Sequence, residues 1–397
     1  MICKKSLIII ISIATACGSL FAAPKNEPHN TKAYAMQAKK TKVPVFNDRL
    51  PIIIDSDMAQ DDWLAIIYTL ERPDSNVLAI TVPDTGESGG PIGLRIAKGL
   101  CLLLGQGNIP VGYGTEKPFV GNNAFPAEWR KQIDTVHNII LPENNFPDYG
   151  NKGVQLLIDT IERYPGKVTI LALGPLTNLA VALDKKPELA KKIREVVIMG
   201  GAVRVAGNVH ESTPSIPNKT AEWNIFVDPV AADKVIKSGA PIYLIPLDAC
   251  NKVPIDGSFY KIVDKYHPTS ASAFVHRILK TRKDFMNEGA WYFWDPLAAA
   301  LMFQPGLADN ENLKIKVITE QGPDFGRTVE AKDGTLIKVA MNANKHEFVH
   351  NFMAILIHSY ETVPAYPGRI KVAPDEYVDK PMYAEGEAPV NSANTGL

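Results

Sequence analysis

Cysteine is scarce in this chain: there are four in 397 residues, and Cys3 and Cys17 sit near the N-terminus. Only Cys101 and Cys250 remain for a folded region, too few for a disulfide framework. Two buried free thiols are the expected state, with one bridge as the alternative. Net charge is missing as well. Lys plus Arg (42) nearly balances Asp plus Glu (43), so nothing marks a nucleic-acid-binding surface, and a small neutral substrate or a protein partner fits better. After the first 23 residues no apolar run is long enough to span a membrane. The glycines of "TGESGGPIGLR" lack the Lys-Ser/Thr pair of a phosphate-binding loop, which argues against nucleoside triphosphates. No internal repeat stands out.

What is present begins with "MICKKSLIIIISIATACGSLFAAPKNEP": two lysines, a short apolar run, then small residues. That order reads as a secretory signal peptide over residues 1–23, cleaved near Ala22 or Ala23, and predicts an exported protein, periplasmic or secreted. Acylation at Cys17 is the weaker alternative, because Ala14 stands where lipoprotein sites usually carry leucine. Residues 24–48 read as a flexible lead-in, 49–360 as one large catalytic domain and 361–397 as a proline-rich, extended tail whose tyrosines and Met382 tack part of it down.

Within the domain, the runs "PIIID", "VLAITV", "VTILAL", "EVVIMG" and "PIYLIPL" are apolar at nearly every position. Such runs suit strands covered on both faces, so the fold class is α/β, a mainly parallel sheet flanked by helices. Helices carry their own punctuation: in "FVDPVAADKVIKSGAP", Asp228 caps, Pro229 opens and Gly239 ends. "NLAVAL" (178–183) and "ELAKKI" (188–193) have helical spacing.

Directly after the first strand, "DSDMAQDD" places Asp55, Asp57, Asp61 and Asp62 within eight positions. In parallel sheets the ligand site lies beyond the carboxyl ends of strands, and Asp61 and Asp62 also open a helix whose dipole offsets part of their charge. An oxygen-rich pocket without histidine or cysteine suits calcium or magnesium better than zinc. A solvated acidic turn is the bland alternative. Four further stretches end strands or start helices: "LGPLTNLA" (173–180), "MGGA" (199–202), whose glycines let a ligand approach the backbone, "AEWN" (221–224), where an extended segment aims Glu222 and Asn224 the same way, and "WDPLAA" (294–299). Each alone reads more readily as structural; together, in this order, they form a set.

That set resembles the inosine-uridine-preferring nucleoside hydrolases, whose Asp-x-Asp-x-x-x-Asp-Asp signature "DSDMAQDD" matches in full, with "GPLTNLA", "MGGAV", "GNV", "AEWNIFVDP" and "DPLAA" following over residues 50–360. The resemblance implies a Rossmann-like fold and a calcium-dependent hydrolase splitting ribonucleosides into base and ribose. It further implies that Asp57, Asp62, the Thr177 carbonyl and Asp295 hold calcium, with Asp57 the general base for the attacking water. Asp61, Asn224 and Asp295 would hold the ribose 2′- and 3′-hydroxyls, Glu222 and Asn208 the 5′-hydroxyl, with Met199 near the sugar and Asp55 behind. Homo-oligomers are compatible with this reading.

The match departs from the family at the leaving group. Where many members place a histidine before the last aspartate, this chain has Trp294. Asp84 in "VPDTGESGG" stands in for a frequent asparagine, and purine-preferring relatives stack aromatics on the base, a role open to Trp223, Trp291 or Trp294, for each of which core packing is the competing assignment. The inserted "HESTPSIPNKT" (210–220) reads as a loop over the site; its His210 is a candidate acid, although histidines in polar loops usually take no part in catalysis. Two alternatives stand beside the hydrolase. A haloacid-dehalogenase-like phosphatase also opens on Asp-x-Asp but leaves "AEWN" and "LTNLA" unexplained, and a non-catalytic nucleoside-binding protein would account for the missing histidine.

Overall fold

Strand residues of alternating facing build two separate cores. Ile52 and Ile54 point into one, with Leu171, Leu173, Val197 and Met199. Ile53 points into the other, with Ile170, Ala172, Val196 and Ile198. Period-2 alternation with both faces apolar is what a sheet sandwiched between helices requires.

The computed structural model describes residues 41–44, 48–114, 117–359 and 377–380. Its strands, in chain order, are β1 (Thr41–Pro44), β2 (Leu50–Asp55), β3 (Ser75–Pro83), β4 (Val111–Gly114), β5 (Val168–Ala172), β6 (Ile193–Met199), β7 (Ile242–Ile245), β8 (Ala308–Val317), β9 (Thr328–Glu330), β10 (Thr335–Ala343) and β11 (Tyr377–Lys380). Nine form one sheet in the order β4-β3-β2-β5-β6-β7-β10-β8-β9. The run from β4 to β10 is parallel, and β8 and β9 add an antiparallel edge. The mainly parallel α/β sheet expected from the sequence is therefore present. Winding proceeds outward from β2 in one direction and from β5 in the other, so the two neighbours form the topological switch point where a crevice opens at their carboxyl ends.

Helix Gln60–Glu71 covers one face with all its residues buried, Trp63, Leu64, Ile66, Ile67 and Tyr68 completely so. Burial of those five side chains is worth on the order of 10 kcal/mol, enough to seat an acidic first turn against the core. It packs on helix Trp294–Phe303, also almost wholly buried. Helices Gly153–Arg163, Thr177–Lys185 and Pro229–Lys237 cover the second face.

Asp228 caps the last of these by accepting from Ala231 N at 3.1 Å, and Gly239 ends it at φ +87°, as expected. Two local expectations fail. Residues 188–193 form no α-helix; Pro187–Lys192 is a 3₁₀ turn, because Pro187 opens it and Ile193 already starts β6. "AEWN" is not extended, since Glu222 caps a helix beginning at Trp223. The expected signal peptide, and the lead-in and tail apart from two short strands, lie outside the described residues. Those strands, β1 from the lead-in and β11 from the tail, pair antiparallel. Cys101 and Cys250 are buried free thiols.

Candidate active site

A cavity of about 640 Å³ opens at the switch point, lined among others by Asp57, Asp61, Asp62, Glu222, Asn224 and Asp295. Asp57 is held from every side. Its Oδ1 accepts from Ala59 N at 3.3 Å and its Oδ2 from Glu87 N at 3.2 Å. A side chain placed on Gly86 would come within 2.2 Å of the Asp57 Cβ, and one on Gly174 within 2.6 Å. Only glycine fits at either point, so the loops after β3 and β5 grip this aspartate between them. Between Asp57 and the helix, Met58 adopts φ +62°, a left-handed conformation costing roughly 1–2 kcal/mol in a non-glycine residue. Its N–H donates to the Ser56 hydroxyl oxygen at 3.2 Å, and that hydroxyl in turn donates to Asp62.

Packing of helix Gln60–Glu71 on Trp294–Phe303 brings their first turns together. Carboxylate oxygens of Asp61, Asp62 and Asp295 lie within 4.8 Å of one another. Burial, reinforced by mutual repulsion, drives Asp62 and Asp295 well above the usual carboxylate range. Burial first, and then the Asp57 charge, lifts Asp61 to about 7, while Asp57 itself rises to about 6 mainly through burial. Asp295 Oδ1 is buried without a hydrogen-bond partner among the described residues. Buried carboxylates crowded this way with an orphaned oxygen fit a bound cation, and an all-oxygen donor set fits a hard one.

Thr177, the remaining expected ligand, is buried but does not line the cavity. Its hydroxyl donates to Asp228 Oδ2 at 2.9 Å and lies 3.0 Å from that of Thr85. Asp55 stands behind the cluster, accepting from Thr81 Oγ1 at 2.6 Å and Asn178 Nδ2 at 3.0 Å.

Glu222 and Asn224 both line the cavity, through a helix cap and not an extended strand. Glu222 accepts from Asn224 N at 2.9 Å, Ile225 N at 3.3 Å and Gly201 N at 2.9 Å, yet burial still raises it to about 7. Asn224 spends its NH₂ group on the carbonyls of Leu173 (3.3 Å) and Met199 (3.2 Å), leaving the amide oxygen as its acceptor for a ligand hydroxyl. Met199 and Asn208 line the cavity too, and Asn208 Oδ1 accepts from Trp223 N at 3.1 Å. Of the glycines of "MGGA", Gly200 lies against Glu222, where a Cβ would come within 3.3 Å of its Oε2, and Gly201 against a strand. A side chain at Gly201 would meet Thr328 Oγ1 at 2.8 Å, so the close approach is to β9.

Asp84 is not brought to the cavity. It accepts from Gly90 N at the start of the helix Gly90–Leu103 and lies 3.9 Å from Arg130. Glu87, in the same loop, lines the cavity instead. His210 does not line it either, its Nδ1 being 2.8 Å from the Ile216 carbonyl. Of the three tryptophans expected near the base, Trp223 and Trp294 line the cavity, whereas Trp291 is fully buried in the core.

Several lining residues have no clear sequence signal: Trp129, Gln132, His137, Arg282 and Tyr292. Trp129 meets Trp223 edge-on with centroids 5.4 Å apart, and Phe125 stacks on Trp223 at 5.4 Å. His137 follows Val136 and precedes Asn138 in three successive left-handed residues (φ +51°, +48° and +62°) and meets Trp63 edge-on at 5.8 Å. Burial, then the nearby Arg282, lower His137 to about 4, so it is neutral near pH 7.

A doubly wound sheet with a pocket of buried carboxylates at its switch point is the architecture of an α/β enzyme acting on a small ligand. The family model described as "Inosine-uridine preferring nucleoside hydrolase" matches residues 52–372, and the chain belongs to that family. It is thus an N-ribosyl hydrolase, cleaving ribonucleosides to base and ribose, and the dehalogenase-like and non-catalytic alternatives fall away. It is 32% identical over 293 residues to a pyrimidine-specific ribonucleoside hydrolase, RihA, of Citrobacter koseri, covering 70% of this chain and 88% of the relative. It is 30% identical to uridine nucleosidase 1 of Arabidopsis thaliana over 70% of this chain and 81% of that one. Among solved structures, the purine-preferring ribonucleoside hydrolase of Gardnerella vaginalis superposes with a TM-score of 0.67 at 27% identity, covering 78% of this chain and 98% of that one.

Proposed function

We propose that the enzyme is an exported, calcium-dependent ribonucleoside hydrolase in which Asp57 is the general base. The crowding of Asp61, Asp62 and Asp295 beside Asp57 carries this reading, since a cation held between them relieves the repulsion of the ionised carboxylates. Asp57, Asp62, Asp295 and the Thr177 carbonyl would hold the ion, which when bound makes a coordinated water more acidic. Asp57, fixed by two backbone N–H groups and two glycines, takes the proton as water adds to the anomeric carbon. Asp61 and the Asn224 amide oxygen hold the ribose 2′- and 3′-hydroxyls, with Asp295 on the 3′ side, and Glu222 and Asn208 hold the 5′-hydroxyl. Met199 packs near the sugar. The surrounding carboxylates stabilise positive charge as the N-ribosidic bond breaks. A missing hydroxyl would leave these buried groups unpaired, so deoxynucleosides should be poor substrates.

Stacking surfaces of Trp129, Trp223 and Trp294 favour a bicyclic base, hence purine preference. The lysine-led apolar start of the chain supports export. The test is chromatographic: the mature protein and Asp57→Asn are incubated with purine and pyrimidine ribonucleosides in the presence of calcium. The reading expects base release by wild type, a loss of about 10³-fold or more in Asp57→Asn, and purine turnover above uridine. No release from any ribonucleoside would overturn the proposed chemistry, and dominant uridine turnover would remove the purine assignment.

A further inference from the structure

Arg282 is the arginine that lines the cavity, where acids outnumber bases, and the carboxylate chemistry leaves it unused. It follows the helix Ser270–Thr281, half-buried, with its guanidinium 4.9 Å above the Phe285 ring. Nη1 donates to Gln132 Oε1 at 3.1 Å, across to the helix Ala127–Asp134. Nε is enclosed without a partner among the described residues. Glu87, Glu288 and Asp284 act on it through space, but none forms an ion pair with it among the described residues. A guanidinium offers five N–H donors and no acceptor, so most of its hydrogen-bonding capacity is unspent here. Phe285, Gln132 and His137 carry no negative charge, and the lining acids that act on it, Glu87 and Glu288, leave its N–H donors without a hydrogen bond to either.

The identity of the missing acceptor follows from the rest of the lining. Asp57, Asp61, Asp62, Glu87, Glu222 and Asp295 make the cavity hostile to a phosphate, so the complementary atom belongs to a neutral group. Resting on the reading of the site as a ribonucleoside hydrolase, we propose that Arg282 binds the carbonyl edge of the nucleobase and selects oxo bases over amino bases. A 6-oxopurine presents O6 and N7, two acceptors side by side that a planar guanidinium can meet together; uracil presents O4. Adenine and cytosine place an amino group there, whose hydrogens face donors. The same contact stabilises negative charge left on the base as its bond to ribose breaks.

Two measurements on the calcium-loaded protein test this. The first compares kcat/KM for inosine, adenosine, uridine and cytidine between wild type and Arg282→Met. The expected result is a 10- to 100-fold loss for inosine and uridine and less than about 3-fold for adenosine and cytidine. The second needs no catalysis: calorimetric binding of free hypoxanthine and free adenine, where Arg282→Met should weaken hypoxanthine at least 10-fold and leave adenine nearly unchanged. Should Arg282→Met fail to fold, Arg282→Lys, which keeps charge but loses the planar fork, should show the same bias several-fold. Equal losses for oxo and amino bases, or no loss, overturn the assignment. If wild type hydrolyses nothing while the binding bias holds, the failure lies with the hydrolytic reading and not with Arg282.

Discussion

Two walls of the cavity are built in opposite ways. The carboxylate wall rises from strand ends and from the first turns of two buried helices; in Gln60–Glu71 every residue is buried. The aromatic wall draws partly on surface segments: in Ala127–Asp134 only Ile133 is buried, whereas Trp223 stands on the buried helix Trp223–Val227. Charge is crowded in the first wall and sparser in the second, where Trp129, His137, Trp223 and Tyr292 share the lining with Arg282 and the acids Glu87 and Glu288 that act on it. Deep packing fixes reacting groups to the tolerance catalysis demands, while a lightly buried wall can change its side chains without cost to the core. The strained turn at Val136, His137 and Asn138 belongs to the second wall, where valine in a left-handed conformation is an outlier held by its surroundings.

The contrast is broken most severely by removing a carboxylate from the buried wall. Asp295→Asn should abolish calcium-dependent hydrolysis, with a loss above about 10³-fold in kcat, while far-ultraviolet dichroism stays unchanged. Retained turnover would show that the crowded aspartates are not the reacting wall. Gly174→Ala comes next. Its methyl group would press on Asp57, and a shift on the order of 1 Å should cost about 100-fold in kcat with little change in KM. A KM effect alone would mean that the glycine grip does not position the base.

Those two losses concern the wall that was legible from sequence. "DSDMAQDD" could be placed because it follows a strand apolar on both faces, which fixes which end of the sheet it reaches. "DPLAA" was legible through its Asp-Pro helix start, although its pairing with Asp62 came only from the packing of two helices more than 220 residues apart in the chain. Legibility fails where a loop's direction is set by tertiary contacts. Asp84 and Glu87 are equivalent as acidic residues in "VPDTGES", and only the cap on Gly90 turns the first away while the second enters the cavity. Trp129 and His137 lie on segments whose burial is too slight to leave a period, and Arg282 stands just past an amphipathic helix, at a C-cap that no pattern marks as facing the cavity. Strands β8 and β10 were also missed, because polar residues interrupt their apolar pattern at the antiparallel edge.

Stability gives a smaller but cleaner contrast. Without an ion, Asp57 and Asp61 bind protons in the fold up to about pH 6 and 7, against 3.8 for a free aspartate. Between those values the folded state holds more protons than the unfolded one, so stability falls as pH rises from about 4 to 7. In chelator the melting temperature should therefore decline across that window, and calcium should restore it. A slope that calcium leaves unaltered would disconnect the carboxylates from ion binding. Least affected of all should be Trp129→Ala, in the lightly buried wall: a rise of a few-fold in KM, kcat within about 3-fold and unchanged melting, read by steady-state kinetics on inosine. A collapse of kcat there would make the two walls equals.

Calcium titration followed by calorimetry, on the chelator-treated wild type and on Asp62→Asn side by side, tests the central claim most directly. One ion per chain binding to wild type, with heat lost in the variant and both proteins folded, is the result the buried carboxylate wall predicts. Absence of binding to wild type, or equal binding by the variant, would contradict it.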